Sequence, residues 1–111
     1  MVKNKDRKEL DIMEINKNNF NEILENNETV IIDFWAPWCG PCRALGPVIE
    51  EVSEQYPNVF FGKVNVDNEE ELAALFKVTS IPLVVKIKNK KVVDSFIGLK
   101  GKSFVEQFFG E

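Results

Sequence analysis

Apolar and polar positions follow two alternating periods along the chain, and their succession sets the fold class. Leu10-Asp11-Ile12-Met13-Glu14-Ile15 alternates well enough for a short strand. Asn19 and Glu22 have capping-box spacing ahead of Phe20, Ile23 and Leu24, which recur at helical intervals. Thr29 to Ala36, TVIIDFWA, is almost unbroken β-branched and aromatic sequence, the pattern of a central strand covered on both faces. Leu45, Val48, Ile49, Val52 and Tyr56 then return at helical spacing until Pro57-Asn58 stops them.

Val59 to Val66 reads as a third strand, and Asp67 with Glu70 as the cap of a short helix carrying Leu72, Leu75 and Phe76. Leu83 to Lys88 and Val92 to Ile97 are two further strands. Asn89-Lys90-Lys91 between them is too short for a crossover helix, so they form an antiparallel hairpin. Phe104, Val105, Phe108 and Phe109 give the core face of a last helix. The order βαβαβαββα predicts an α/β architecture: a central mixed sheet of about five strands, with about four helices covering both faces.

Composition narrows the setting. The chain has 111 residues and is 44% hydrophobic, enough for one cored domain, which the patterning places at 10–111 behind a mobile arm over 1–9. A net charge of -4, with both signs mixed, leaves no electrostatic footprint for nucleic acid. No run approaches the roughly 18 apolar residues of a membrane span, and the charged start lacks the apolar core of a secretory signal. Two cysteines are too few for a disulfide scaffold and fit a reducing compartment, so a cytoplasmic protein is expected.

Those two cysteines lie in Trp35-Ala36-Pro37-Trp38-Cys39-Gly40-Pro41-Cys42-Arg43, at the junction between the central strand and the following helix. Thiols at i and i+3 admit three readings: a metal half-site, a structural staple or a redox pair. Tetrahedral zinc needs about four ligands, and the chain has two cysteines and no histidine. A staple closing so short a loop constrains little of the unfolded chain.

As a redox pair, Cys39 at the helix start is the expected nucleophile, because unpaired N–H groups and the helix dipole favour thiolate there. Cys42, one turn further in, resolves the mixed disulfide. Pro41 is tolerated in the first turn and stiffens it, whereas Pro47 should kink the helix. Asp33 is either an exposed strand-end residue or, inside its apolar run, a buried carboxyl whose pKa burial raises toward neutrality. In the second case it can take the proton that Cys42 must lose. Lys63 on the adjacent strand is either a solvated lysine or the group that tunes that carboxyl. Trp38 is expected at the surface and Trp35 in packing. Phe104, Phe108 and Phe109 are expected in the core.

VIIDFWAPWCGPCR, Val30 to Arg43, resembles the active-site segment of the thioredoxin family, and the resemblance extends from about Ile12 to Phe109 through KVNVD at Lys63 to Asp67, Ile81-Pro82 and Gly98. It implies the thioredoxin fold and a protein-disulfide reductase cycling Cys39 and Cys42 between dithiol and disulfide, with no other cofactor. Asp33 matches the family's buried proton acceptor, Lys63 its neighbour, and Trp35 and Trp38 the flanking indoles. Pro82 matches a cis-proline facing the disulfide. Val78, Thr79, Ser80, Ile81 and Gly98, with Gly40 and Pro41, complete the implied substrate groove. Implied partners are disulfide-containing proteins and an NADPH-dependent thioredoxin reductase, and a monomer is expected. The Gly-Pro dipeptide is of the reducing type; an oxidase or isomerase, or a binding subunit on the same scaffold, are the alternatives. Leu83 after the proline, Asn89-Lys90-Lys91 at the hairpin turn and the N-terminal arm depart from the common pattern.

Overall fold

The computed structural model describes residues 13–111. In order the elements are β1 (Met13–Glu14), α1 (Phe20–Asn26), β2 (Thr29–Trp35), α2 (Gly40–Ser53), β3 (Phe60–Asn65), α3 (Glu70–Leu75), β4 (Leu83–Lys88), β5 (Lys91–Ile97) and α4 (Lys102–Gly110). Among the described residues this is the expected mixed sheet, in the order β1-β3-β2-β4-β5. β2 is central, parallel to β3 and antiparallel to β4. The predicted arm over 1–9 and the start of the first strand lie outside the described residues.

Alternation along β2 divides the core in two, because successive side chains leave a strand on opposite faces. Val30, Ile32 and Phe34 pack with Ile23 of α1 and Leu72 of α3. Ile31 packs on the other face with Leu45, Ile49 and Val52 of α2 and Val105, Phe108 and Phe109 of α4. Asp33 shares the parity of Ile31 and therefore faces α2. Pro47 lies inside α2, which continues unbroken on either side of it. Gly62 has a steric reason to be glycine: a Cβ there would come within 2.6 Å of Ile15 Cδ1 and 3.0 Å of the Met13 carbonyl, so a side chain would push β1 away from β3.

Neither predicted cap forms as read from the sequence. At α1 the reciprocal bonds join Asn16 and Asn19: the Asn16 Oδ1 accepts from the Asn19 N–H at 3.0 Å, and the Asn19 Oδ1 accepts from the Asn16 N–H at 2.8 Å. The capping box therefore sits one turn upstream of Asn19 and Glu22, because Asn16 offers the same short acceptor three residues earlier. Asp67 does not cap α3, whose preceding residue Glu69 makes no side-chain capping bond either. Phe104 is 43% exposed and stacks edge-on with Phe96 at the rim rather than in the core. At the hairpin, Asn89 and Lys90 take φ of 52° and 70°, the two positive values of a type I′ turn, and Lys91 already belongs to β5.

Candidate active site

β2 ends at Trp35, and the chain crosses the end of the sheet through buried Ala36 and exposed Pro37 and Trp38 into α2. Cys39 is the residue that caps α2. Its backbone is extended (φ -95°, ψ 110°), its N–H is held by the Ala36 carbonyl at 3.1 Å, and its sulfur accepts from the Cys42 N–H at 3.2 Å. A sulfur in this position meets the N–H groups that a helix leaves unpaired at its start, and these stabilise negative charge there. Cys39 and Cys42 form a disulfide with Cα atoms 5.3 Å apart. Gly40 and Pro41 between them are exposed, and Pro41 occupies a first-turn position where no intrahelical donor is needed.

The loop after α3 faces this pair from across the fold. The Ile81-Pro82 bond is cis, and the Ile81 carbonyl oxygen lies 4.0 Å from Cys39 Sγ. As a disulfide sulfur has no proton to donate, this is a contact and not a hydrogen bond. Gly98 donates its N–H to the Pro82 carbonyl at 2.9 Å and has φ of 94°, a conformation that glycine adopts without strain. Thr79 and Ser80 are exposed, and Val78 and Ile81 are half-buried. Ala36, Cys39 and Cys42 form one apolar cluster with Trp35, Val66 and Ile81 packed against it.

Asp33 is fully buried, and neither carboxylate oxygen has a hydrogen-bond partner among the described residues. The exposed strand-end alternative is therefore discarded. Burial without compensation disfavours the anion and pushes the pKa up to about 7, Lys63 drawing it down and Glu50 adding to the rise. Lys63 is the register partner of Asp33 on β3, and its ammonium lies 4.4 Å from the centroid of the Trp35 ring. It thus acts on Asp33 through space while resting on an indole face.

Trp38 is 69% exposed beside Cys39, and its indole N–H donates to the Asp67 carboxylate, 3.0 Å to Oδ2 and 3.3 Å to Oδ1. This explains why Asp67 is no cap: it orients the surface indole. Trp35 packs against the cysteine cluster as expected, with its Nε1 buried and unpartnered among the described residues. Sequence reading missed Asp67 as a site residue, although it ends the KVNVD motif, and missed Glu50, which carries no local signal. No group of three or more metal-ligating side chains occurs among the described residues.

A family model described as Thioredoxin matches residues 11–111. A thioredoxin of Chlorobaculum thiosulfatiphilum is 41% identical over 96 residues, covering 86% of this chain and 89% of that protein. The mitochondrial thioredoxin of Mus musculus is 43% identical over 91 residues, covering 80% of this chain; the chain spans 55% of that protein's length. Among solved structures, Plasmodium falciparum thioredoxin superposes with a TM-score of 0.84 at 35% identity, covering 89% of this chain and 97% of that one.

Proposed function

The chain belongs to the thioredoxin family of thiol-disulfide oxidoreductases, and from that premise we propose that it works as a general reductant of protein disulfides in a reducing compartment such as the cytoplasm. The observation that carries this reading is the Cys39–Cys42 disulfide across the first turn of α2, facing the Ile81-Pro82 loop.

In the forward direction the reduced protein starts as a dithiol. Cys39 thiolate attacks one sulfur of the substrate disulfide; the new S–S bond joins Cys39 to the substrate, and the departing substrate sulfur leaves as thiolate and takes up a proton. Cys42 then loses its proton and attacks Cys39 Sγ, forming the Cys39–Cys42 bond and releasing the second substrate thiolate. Two electrons and two protons pass to the substrate, and the protein ends as the disulfide. Asp33 is the base for the second step: with a pKa of about 7, it is ionised in part near neutral pH and can take the Cys42 proton. Trp38, Gly40, Pro41, Val78 to Pro82 and Gly98 form the surface on which an extended substrate segment lies.

Recharging requires a dithiol donor, and a thioredoxin reductase drawing on NADPH fits that need. A Mycobacterium leprae relative named a bifunctional thioredoxin reductase/thioredoxin, 41% identical over 85 residues, supports that partnership. The reading takes the active species to be a monomer. The test is insulin-disulfide reduction with and without thioredoxin reductase and NADPH. Catalytic reduction is expected, lost in Cys39→Ser, with a reduction potential of about -270 mV. A potential near about -180 mV would instead assign the protein to disulfide isomerisation. Biological function retained in Cys39→Ser/Cys42→Ser would make it a binding subunit.

A further inference from the structure

The sheet face under α1 and α3 is not covered out to the β5 edge. Leu83, Val85 and Ile87 of β4 enter the core there. Their register partners on β5, Ile97, Ser95 and Val92, are exposed. On the opposite face Phe96 of the same strand is buried, packed against Phe104 and Phe108 of α4. The open strip is a groove between β5 and the C-terminal end of α3, lined by Leu75, Lys77, Leu83, Val85, Val92 and Ile97. Thr79 and Ser80 also line it, and the Gly98 N–H to Pro82 carbonyl bond ties the end of β5 to the cis-proline loop. The groove is therefore continuous with the substrate surface beside Cys39 and leads away from it along β5.

Lys77 supplies a second observation. α3 ends with the Lys77 N–H bonded to the Ala74 carbonyl and the Val78 N–H to the Ala73 carbonyl, which puts Lys77 in the left-handed position with φ of 54°. Glycine is favoured there, and a side chain costs about 1 kcal/mol. Lys77 is the charged residue of the groove lining, and its ammonium has no ion-pair partner among the described residues. Lys77 thus places an unpaired positive charge in an otherwise uncharged lining.

Resting on the disulfide-reductase reading, we propose that this groove is an accessory docking subsite for partner proteins: it takes the extended flank of the target cysteine, with apolar side chains on Leu75, Val92 and Ile97 and a carboxylate against Lys77. From Ile97 to Val92 the strip is roughly 17 Å long, which fits a flank of about five extended residues. Residues 1–12 of the chain are a poorer match. They join at Met13 on β1, the opposite edge of the sheet, and Lys3-Asn4-Lys5-Asp6-Arg7-Lys8 is basic, like Lys77.

The test uses the full chain and two cysteine-free peptides, Ala-Val-Glu-Ile-Val and the same sequence with lysine for glutamate. Methyl resonances of Leu75, Val92 and Ile97 are expected to shift with the glutamate peptide, with about tenfold weaker binding of the lysine peptide and of either peptide to Leu75→Gln/Val92→Gln, a difference of about 1.4 kcal/mol. In single-turnover reduction, that double variant should lose about tenfold in rate constant on a cystine peptide carrying the acidic apolar flank, while hydroxyethyl disulfide is reduced as by the wild type. Peptide affinity unchanged in the double variant, or equal rates on flanked and unflanked peptides, would overturn the subsite. Failure to reduce hydroxyethyl disulfide would instead overturn the reductase reading, and the methyl shifts would still decide the groove. A wild-type dimer dissolved by the double variant would assign the groove to a second copy. A tenfold gain in peptide affinity on deleting residues 1–12 would assign it to that segment. Either result overturns the proposal.

Discussion

Asp33 and Lys86 are the two charged side chains buried among the described residues; they sit on neighbouring strands, and the fold treats them in opposite ways. Lys86 is the register partner of Ile31 on β2, two residues before Asp33. Its ammonium donates to the Phe108 carbonyl at 2.8 Å, in the last turn of α4, where a helix leaves carbonyls unpaired and carries its negative pole. The Phe108 ring lies 5.8 Å from the same nitrogen. Burial still holds the Lys86 pKa below the usual lysine range, Lys88 pushing the same way and Asp94 and Glu111 opposing. Asp33 has no such bond. A buried charge with a partner belongs to the framework; one without a partner near a redox pair is a place where a proton can be put.

The largest way to break that contrast is the pH dependence of stability. The Asp33 carboxyl titrates near 3.8 when unfolded and at about 7 when folded, so folding takes up a proton between these values. Stability then falls as pH rises through that window, by at most about 4 kcal/mol once above it. Urea unfolding of Asp33→Asn at about pH 4 and about pH 8 is expected to remove this slope, leaving the variant more stable than wild type at the higher pH alone. A wild type with no slope between those pH values would make Asp33 an ordinary carboxylate.

The same substitution sharpens the functional half of the comparison. Release of substrate from the Cys39 mixed disulfide should slow about a hundredfold near neutral pH, equivalent to about 2.7 kcal/mol of barrier, because Cys42 loses its base. The first attack by Cys39 should keep its rate. Rapid-quench trapping of the mixed disulfide separates the two steps, and equal slowing of both would point to a general disturbance of the site.

Lys86 predicts the reverse pattern. Lys86→Ala should cost about 2 kcal/mol, since it strips packing from the α4 side of the sheet and leaves the Phe108 carbonyl without its donor, while disulfide reduction stays within about twofold of wild type. Lys86→Met, which keeps the volume and removes the charge, should change stability by about 1 kcal/mol or less. The pH midpoint of mixed-disulfide release should not move in either variant. A shifted midpoint would mean that Lys86 also acts on Asp33, and the division between framework and chemistry would fail.

Much of this was legible in the sequence because its signals are local. TVIIDFWA identified the central strand, since a strand buried on both faces carries so unbroken a run, and CGPC at its end identified the helix start that Cys39 caps. Asp33 stood out as a charge within that run. The misplaced features depended on competition between neighbours. Asn16 outcompeted Asn19 as the cap, Asp67 was drawn from a capping role to the Trp38 indole, and Phe104 turned to the rim because Phe108 and Phe109 already filled the core side of α4. Lys86 gave no warning, because a lysine in LVVKIK reads as the polar side of an alternating strand.

Element order, the sheet's mixed character and the identity of the redox pair rest on periodicity and on spacing of a few residues, and are written in the chain. Which charges are buried, which of them find partners and what faces Cys39 are settled by the folded arrangement. Those outcomes depend on contacts between residues tens of positions apart: Cys39 with Ile81, Trp38 with Asp67, Lys86 with Phe108 and the unanswered carboxylate of Asp33. Desolvation and hydrogen bonding act through space, and the distances that set them do not exist until the sheet has closed.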